Sequence, residues 1–231
     1  MQDMNDWLYQ LENRIGLYPN FYYTFYARRY PFSAMKVTHK TDICIEGFPR
    51  SANSYATVSF KLVNHGVKVG HHLHVAAQAV RAVSYKIPTM VVLRAPEEAV
   101  ASFMVFQNSF NAPLYLNAYT QFHQRLKNIS GQILFVSFET VTTNMNICIS
   151  ELNSKFNVNF ETIPNLKERQ DEIIQKLKGV NARFFDGQKN KSMYPDKLRE
   201  TIKETARQYI LAAPELVAAR NIYAHFKQQA I

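Results

Sequence analysis

Three apolar runs constrain what this chain can fold into more than any other feature. "DICIEGF" (42–48), "PTMVVLR" (88–94) and "QILFVSFE" (132–139) each read as a short buried strand. The second is uninterrupted rather than alternating, as expected of a strand covered on both faces of a parallel sheet. Segments of helical period lie between and after them. "NSYATVSFKLVNHG" (53–66) puts Tyr55, Val58 and Leu62 on one face and ends near Gly66. Further helices are predicted over 75–85, 96–108, 114–129 and 144–156. In 96–108, Pro96 stands near the first helical position and Glu97 and Glu98 in the first turn. From about Leu166 the chain reads as mostly helical, with a polar loop over 185–195. Strands alternating with helices predict an α/β fold, with a central parallel sheet flanked by helices. Ligands bind such sheets beyond the carboxyl ends of the strands. That edge holds the loops after 42–48 and 88–94 and the segment after 132–138.

Composition narrows the function classes. No apolar run approaches the ~18 residues that span a membrane, and "MQDMNDWLYQLENR" lacks the basic and apolar regions of a secretion signal. Cys44 and Cys148 sit in apolar segments with no CxxC spacing, so buried free thiols and a cytoplasmic location are expected. The net charge of +9 favours anionic partners. It is spread along the chain without a dense Lys/Arg run, so a basic nucleic-acid tail is not supported, and on charge alone a domain with an anion pocket and a plain solubilising excess are equal readings. Seven glycines and nine prolines leave little room for long linkers. The aromatic stretch "LYPNFYYTFYARRYPF" (17–32) reads as a packed cover over the sheet edge, or as a wall of an acceptor site.

The loop "PRSANSY" (49–55) joins the first strand to its helix. Free backbone N–H groups at the helix start and the dipole behind them attract anions. Ser51, Asn53 and Ser54 add side-chain donors, and Arg50 adds a forked cation suited to phosphate or sulfate. The GxxxxGK[ST] pattern of nucleotide triphosphate loops is absent. Arg94 closes the second strand, where a charge must meet solvent or a partner, and Ser102 follows two helical turns on. Pairing of Arg94 with Glu97 or Glu98 is the structural alternative. "GHHLH" (70–74) offers His71, His72 and His74 as proton acceptors near neutral pH, with Glu46 as a lesser one.

Taken in order, these stretches resemble the sulfotransferases that use 3′-phosphoadenosine 5′-phosphosulfate. "PRSANSY" is similar to the family's first loop. "RAPEEAVAS" places Arg94, Glu98 and Ser102 in the register of its second motif, and "ILFVSFETVTTNMNICISELNSKF" is similar to its third strand and following helix. The likeness covers about residues 42–156. It implies a three-layer P-loop-type fold in one domain over 1–231, with a helical C-terminal part from about 165. It implies that Arg50 contacts the 5′-phosphate and the bridging oxygen, and that Ser51, Ala52, Asn53, Ser54 and Tyr55 complete the phosphosulfate loop. It further implies that Arg94 and Ser102 hold the 3′-phosphate, that His72 serves as base, and that no metal is required. The acceptor is then a small molecule or saccharide. Ala52 stands where the family has Gly, and Asn53 where it has Ser or Thr. Only a faint likeness to the C-terminal motif appears in "KGVNARFFDGQKN" (178–190), with Lys178, Arg183 and Lys189 as candidates. A P-loop kinase or NTPase, and a nucleotide-binding module without catalysis, are the alternative readings.

Overall fold

The computed structural model describes residues 2–27, 32–185 and 197–231. In chain order the elements are α1 (Gln2–Ile15), α2 (Pro19–Phe21) with a π-helical turn (Tyr22–Tyr26), α3 (Phe32–Met35), β1 (Ile43–Gly47), α4 (Asn53–Lys61) and β2 (Val69–His71). There follow α5 (Ala76–Ser84), β3 (Thr89–Leu93), α6 (Pro96–Gln107), α7 (Ala112–Leu126) with a 3-10 turn (Lys127–Gln132), and β4 (Leu134–Ser137). The chain continues through α8 (Phe138–Thr143), α9 (Met145–Phe156), α10 (Gln170–Phe185), α11 (Lys197–Ala212) and α12 (Glu215–Lys227).

The four strands form one parallel sheet in the order β2-β1-β3-β4. The three apolar runs supply β1, β3 and β4. All residues of β1 and β3 are buried. Alternation sends successive side chains to opposite faces. Val91, Leu93 and Phe135 pack with α6, α7, α11 and α12 through Phe103, Tyr119, Ile210 and Phe226. Ile43, Ile45, Met90, Val92, Leu134 and Val136 pack on the other face with α4, α9 and α10 through Phe60, Leu152 and Ile173. The fold is therefore α/β, with a parallel sheet between helical layers. Each fully buried phenylalanine, such as Phe60 or Phe226, contributes about 1.5–3 kcal/mol of apolar burial.

Some boundaries depart from the sequence reading. Helix α4 stops at Lys61 rather than near Gly66, because the Asn64 side chain ties the turn down. It donates to the Phe60 carbonyl (3.1 Å) and exchanges bonds with the Glu161 backbone (2.9 and 3.0 Å). Strand β4 ends at Ser137, whose hydroxyl caps α8 by accepting from the Thr140 N–H at 3.0 Å. Strand β2 has no counterpart in the sequence reading, which assigns no strand to 69–71.

The sheet order positions the site. From β1 the chain moves outward to β2, then crosses back to β3 on the other side of β1. The loop after β1 leads into α4 on one face, and the loop after β3 leads into α6 on the opposite face. A crevice opens between such loops at the strands' carboxyl ends. Among the described residues, no helix is long and apolar enough to cross a membrane. Cys44 and Cys148 are free and buried, and burial pushes the Cys148 thiol up to about 12.

Candidate active site

The loop after β1 is a strained turn. Arg50 (φ 68°) and Ala52 (φ 71°) both occupy the left-handed region, which costs an L residue about 1–2 kcal/mol. Ala52 is the N-cap of α4 and supplies no side-chain cap. The first N–H groups of α4 thus lack the usual side-chain acceptor, at the positive end of the helix dipole. Asn53 secures the turn by donating from Nδ2 to the carbonyls of Gly47 (3.0 Å) and Phe48 (3.1 Å). Gly47 is required for close approach: a Cβ there would lie 2.6 Å from Asn53 Oδ1 and 2.7 Å from the Val92 carbonyl oxygen.

The second edge loop meets the first across the crevice. Arg50 Nε donates to Ser102 Oγ at 3.1 Å, and Arg94 Nη1 donates to the Arg50 carbonyl at 2.8 Å. Residues 44 and 52 positions apart are thereby joined. Arg94 also lies 3.5 Å from Glu98 and 4.1 Å over the Phe138 ring. The expected pairing with the first helical turn therefore involves Glu98, whereas Glu97 pairs with Arg220 at 2.6 Å. Burial lowers the Arg94 guanidinium from its ordinary value, and Glu98 opposes that shift. Glu98 further receives Lys203 at 2.6 Å and Arg207 at 2.8 Å from α11. Burial alone would raise the Glu98 carboxyl, but these two cations outweigh it and hold it below its ordinary value.

The histidines enter from the end of β2. His72 (φ 58°) and His74 (φ 54°) are both left-handed, and Glu46 at the end of β1 holds this zigzag. Its carboxylate accepts from the N–H groups of Leu73 (2.8 Å), His74 (3.2 Å) and Gly47 (3.2 Å), and from Gln78 Nε2 (2.9 Å). Burial pushes this carboxyl up to about 7 against the pull of those bonds. Glu46 is fully buried and is no part of the cleft wall, so it shapes the histidine loop rather than facing a ligand. His72 Nε2 lies 2.8 Å from Ser54 Oγ. Burial, more than neighbouring charge, holds all three rings neutral, with His71 lowered to about 3, His74 to about 4 and His72 well below its ordinary value. Among the described residues, no group of three or more His, Cys, Asp or Glu side chains is placed to hold a metal ion.

These elements enclose a cleft of about 680 Å³. Its walls include Arg50, Ala52, Asn53, Ser54, Tyr55, His72, His74, Arg94 and Ser102. Ser51 is the exception within the loop 50–55, and His71 of the histidine cluster likewise does not line the cleft. Ser51 is fully buried, and its hydroxyl has no partner there. Lys178 and Arg183 are exposed on α10 and line no part of the cleft; Lys189 lies outside the described residues. Of the aromatic stretch, the described residues 17–27 do not line the cleft; Tyr22 and Tyr23 pack behind its Leu73 and Val75 and against Ala77. The cleft instead takes Tyr9, Glu12 and Asn13 from α1, Phe103 and Phe106 from α6, Ile174 and Leu177 from α10, and Lys203 from α11. No local motif marks these residues, because tertiary packing alone brings them here. Comparisons of the chain with protein-family models, with curated proteins and with solved structures found no match.

Proposed function

We propose that this protein is a sulfotransferase that moves a sulfuryl group from 3′-phosphoadenosine 5′-phosphosulfate to a hydroxyl or amine of a small-molecule or saccharide acceptor. One observation carries the reading. Arg50 in the loop after β1 meets Ser102 and Arg94 from the loop and helix after β3, at 3.1 and 2.8 Å, on the wall of a single cleft. A donor with phosphates on the 3′ and 5′ positions of its ribose needs two anion sites, and both loops contribute cationic and hydroxyl groups to this one cleft wall. The strained turn and the start of α4 suit the 5′-phosphosulfate. Arg94 and Ser102 suit the 3′-phosphate, with Lys203 as an added cation beside Glu98.

In the transfer, the acceptor oxygen attacks sulfur in line. The bond from sulfur to the bridging oxygen breaks, and adenosine 3′,5′-bisphosphate leaves with that electron pair. Arg50 is placed to stabilise the charge that grows on the leaving phosphate. The acceptor's proton needs a base, and His72 and His74 both line the cleft in neutral form. Positioning and fixed charge do most of this work, as they do in phosphoryl transfer.

A thermal-shift comparison tests the binding half. Adenosine 3′,5′-bisphosphate at 100 times its Kd is expected to stabilise the protein by about 2.7 kcal/mol, and adenosine 5′-phosphate at the same concentration far less. Equal shifts from the two nucleotides would remove the role given to Arg94 and Ser102.

A further inference from the structure

Lys61, His71, His72 and Ser54 form one chain of side chains from the protein surface to the cleft. Lys61 Nζ lies 3.3 Å from His71 Nε2, His71 Nδ1 lies 2.6 Å from His72 Nδ1, and His72 Nε2 lies 2.8 Å from Ser54 Oγ. Each contact needs one donor and one acceptor. Lys61 is an exposed lysine, and an exposed lysine side chain is an ammonium; partial burial lowers it from its ordinary value. An ammonium has three donors and no lone pair, so His71 Nε2 must accept. A neutral imidazole carries a single N–H. His71 therefore holds its proton on Nδ1 and donates it to His72 Nδ1. His72 in turn holds its proton on Nε2 and donates to Ser54 Oγ. Ser54 then has its own hydrogen left to give, from the first turn of α4 on the cleft wall.

We propose that this chain sets Ser54 as a hydrogen-bond donor into the cleft for an anionic phosphate or sulfate oxygen, with Lys61, His71 and His72 as positioning residues acting through it. An anionic oxygen accepts only, so a fixed donor selects it over a neutral hydroxyl that must also give. The chain run in the opposite sense would need Lys61 to accept, which an ammonium cannot do. His72 therefore presents an N–H and not a lone pair. His74 Nδ1 lies 3.2 Å from the Gly47 carbonyl, an acceptor, and 3.1 Å from Asn53 Nδ2, a donor, so its contacts favour neither tautomer. Naming the anion as the donor's phosphosulfate rests on the sulfotransferase reading, whereas the direction of the chain does not.

Two measurements test this. Long-range proton–nitrogen NMR on protein with nitrogen-15 histidine reads each ring's tautomer, with His71→Gln and His72→Gln assigning the signals. The expected result is His71 protonated on Nδ1, and His72 on Nε2. A bare Nε2 on His72, or a mixture of its tautomers, would overturn the proposal. Calorimetric titration with adenosine 3′,5′-bisphosphate then reads the consequence. Ser54→Ala is expected to weaken binding about 10-fold or more, the worth of a hydrogen bond to a charged group. Lys61→Met, a change at an exposed site, is expected to weaken it about 3-fold in the wild-type background and not at all in Ser54→Ala. Equal losses in both backgrounds would overturn the coupling. Wild-type protein that ignores the bisphosphate yet shows the expected tautomers would sink the sulfotransferase reading and leave the chain standing.

Discussion

Replacing His123 with leucine should make the protein more tolerant of acid. His123 lies on α7, fully buried, with ring centroids of Tyr119, Phe122 and Phe226 at 4.2, 5.0 and 6.0 Å. Its Nδ1–H donates to the Tyr119 carbonyl at 2.8 Å, and Nε2 is buried with no partner. Protonating that nitrogen would bury an unpaired charge, so burial lowers the ring to about 4 from 6.5. A depressed folded value means stability that is complete above pH 6.5 and is lost as pH falls toward 4. At about 1.4 kcal/mol for each pH unit crossed, the loss is about 2 kcal/mol at pH 5. It levels off at about 3 kcal/mol below pH 4. Against a total stability of about 5–15 kcal/mol, that is a large share. At pH 7.5, His123→Leu loses one hydrogen bond and removes one unsatisfied nitrogen, two opposed effects that should leave stability within about 1 kcal/mol. Urea unfolding of both proteins at pH 7.5 and pH 5 checks this. The gap between them should shift by about 2 kcal/mol in the variant's favour at pH 5. His71, His72 and His74 are present in both chains and cancel in the difference. An unchanged gap would refute the placement of His123 as a neutral ring with a bare Nε2.

The strained turn makes two further predictions. Ala52→Gly relieves a left-handed alanine and should raise stability by about 0.5–1 kcal/mol in thermal or urea unfolding; a loss would contradict the φ of 71°. Gly47→Ala should destabilise by more than about 2 kcal/mol, because the new methyl meets the Asn53 amide and the Val92 carbonyl. Wild-type stability would mean that β1 and β3 separate more freely here than their register allows. Arg94→Ala should shrink the preference for adenosine 3′,5′-bisphosphate over adenosine 5′-phosphate about 10-fold, read by titration. A preserved preference would move the 3′-phosphate elsewhere.

The strands were legible where their residues needed no context. Ile43–Gly47 and Thr89–Leu93 are buried from end to end, so their apolar runs show in the sequence unaided. Val69–His71 was not legible, since three residues with a glycine and a histidine become a strand only through pairing with β1. The placing of the loop at 49–55 and of Arg94 and Ser102 on one sheet edge was legible, because each segment follows a strand that was itself legible. The place of Lys203 in the cleft wall was hidden, since it depends on α11 packing over α6 and meeting Glu98. Likewise Tyr9 reaches the cleft through its rings' contacts with Phe103 and Tyr115, at 5.2 Å each. Ser51 was misjudged for the opposite reason: its neighbours in the loop face the cleft, but the left-handed residues on either side turn it inward.

Sulfuryl transfer itself is the most direct test. The protein is incubated with 3′-phosphoadenosine 5′-phosphosulfate and an extract of small molecules and saccharides, and products are read by mass spectrometry. One or more acceptors should gain a sulfuryl group in step with release of adenosine 3′,5′-bisphosphate, and Arg50→Ala should abolish both. Donor binding without any transferred group would contradict the assignment and leave a nucleotide-binding module in its place. Magnesium-dependent turnover of ATP, lost in Arg50→Ala, would replace it with a kinase or NTPase.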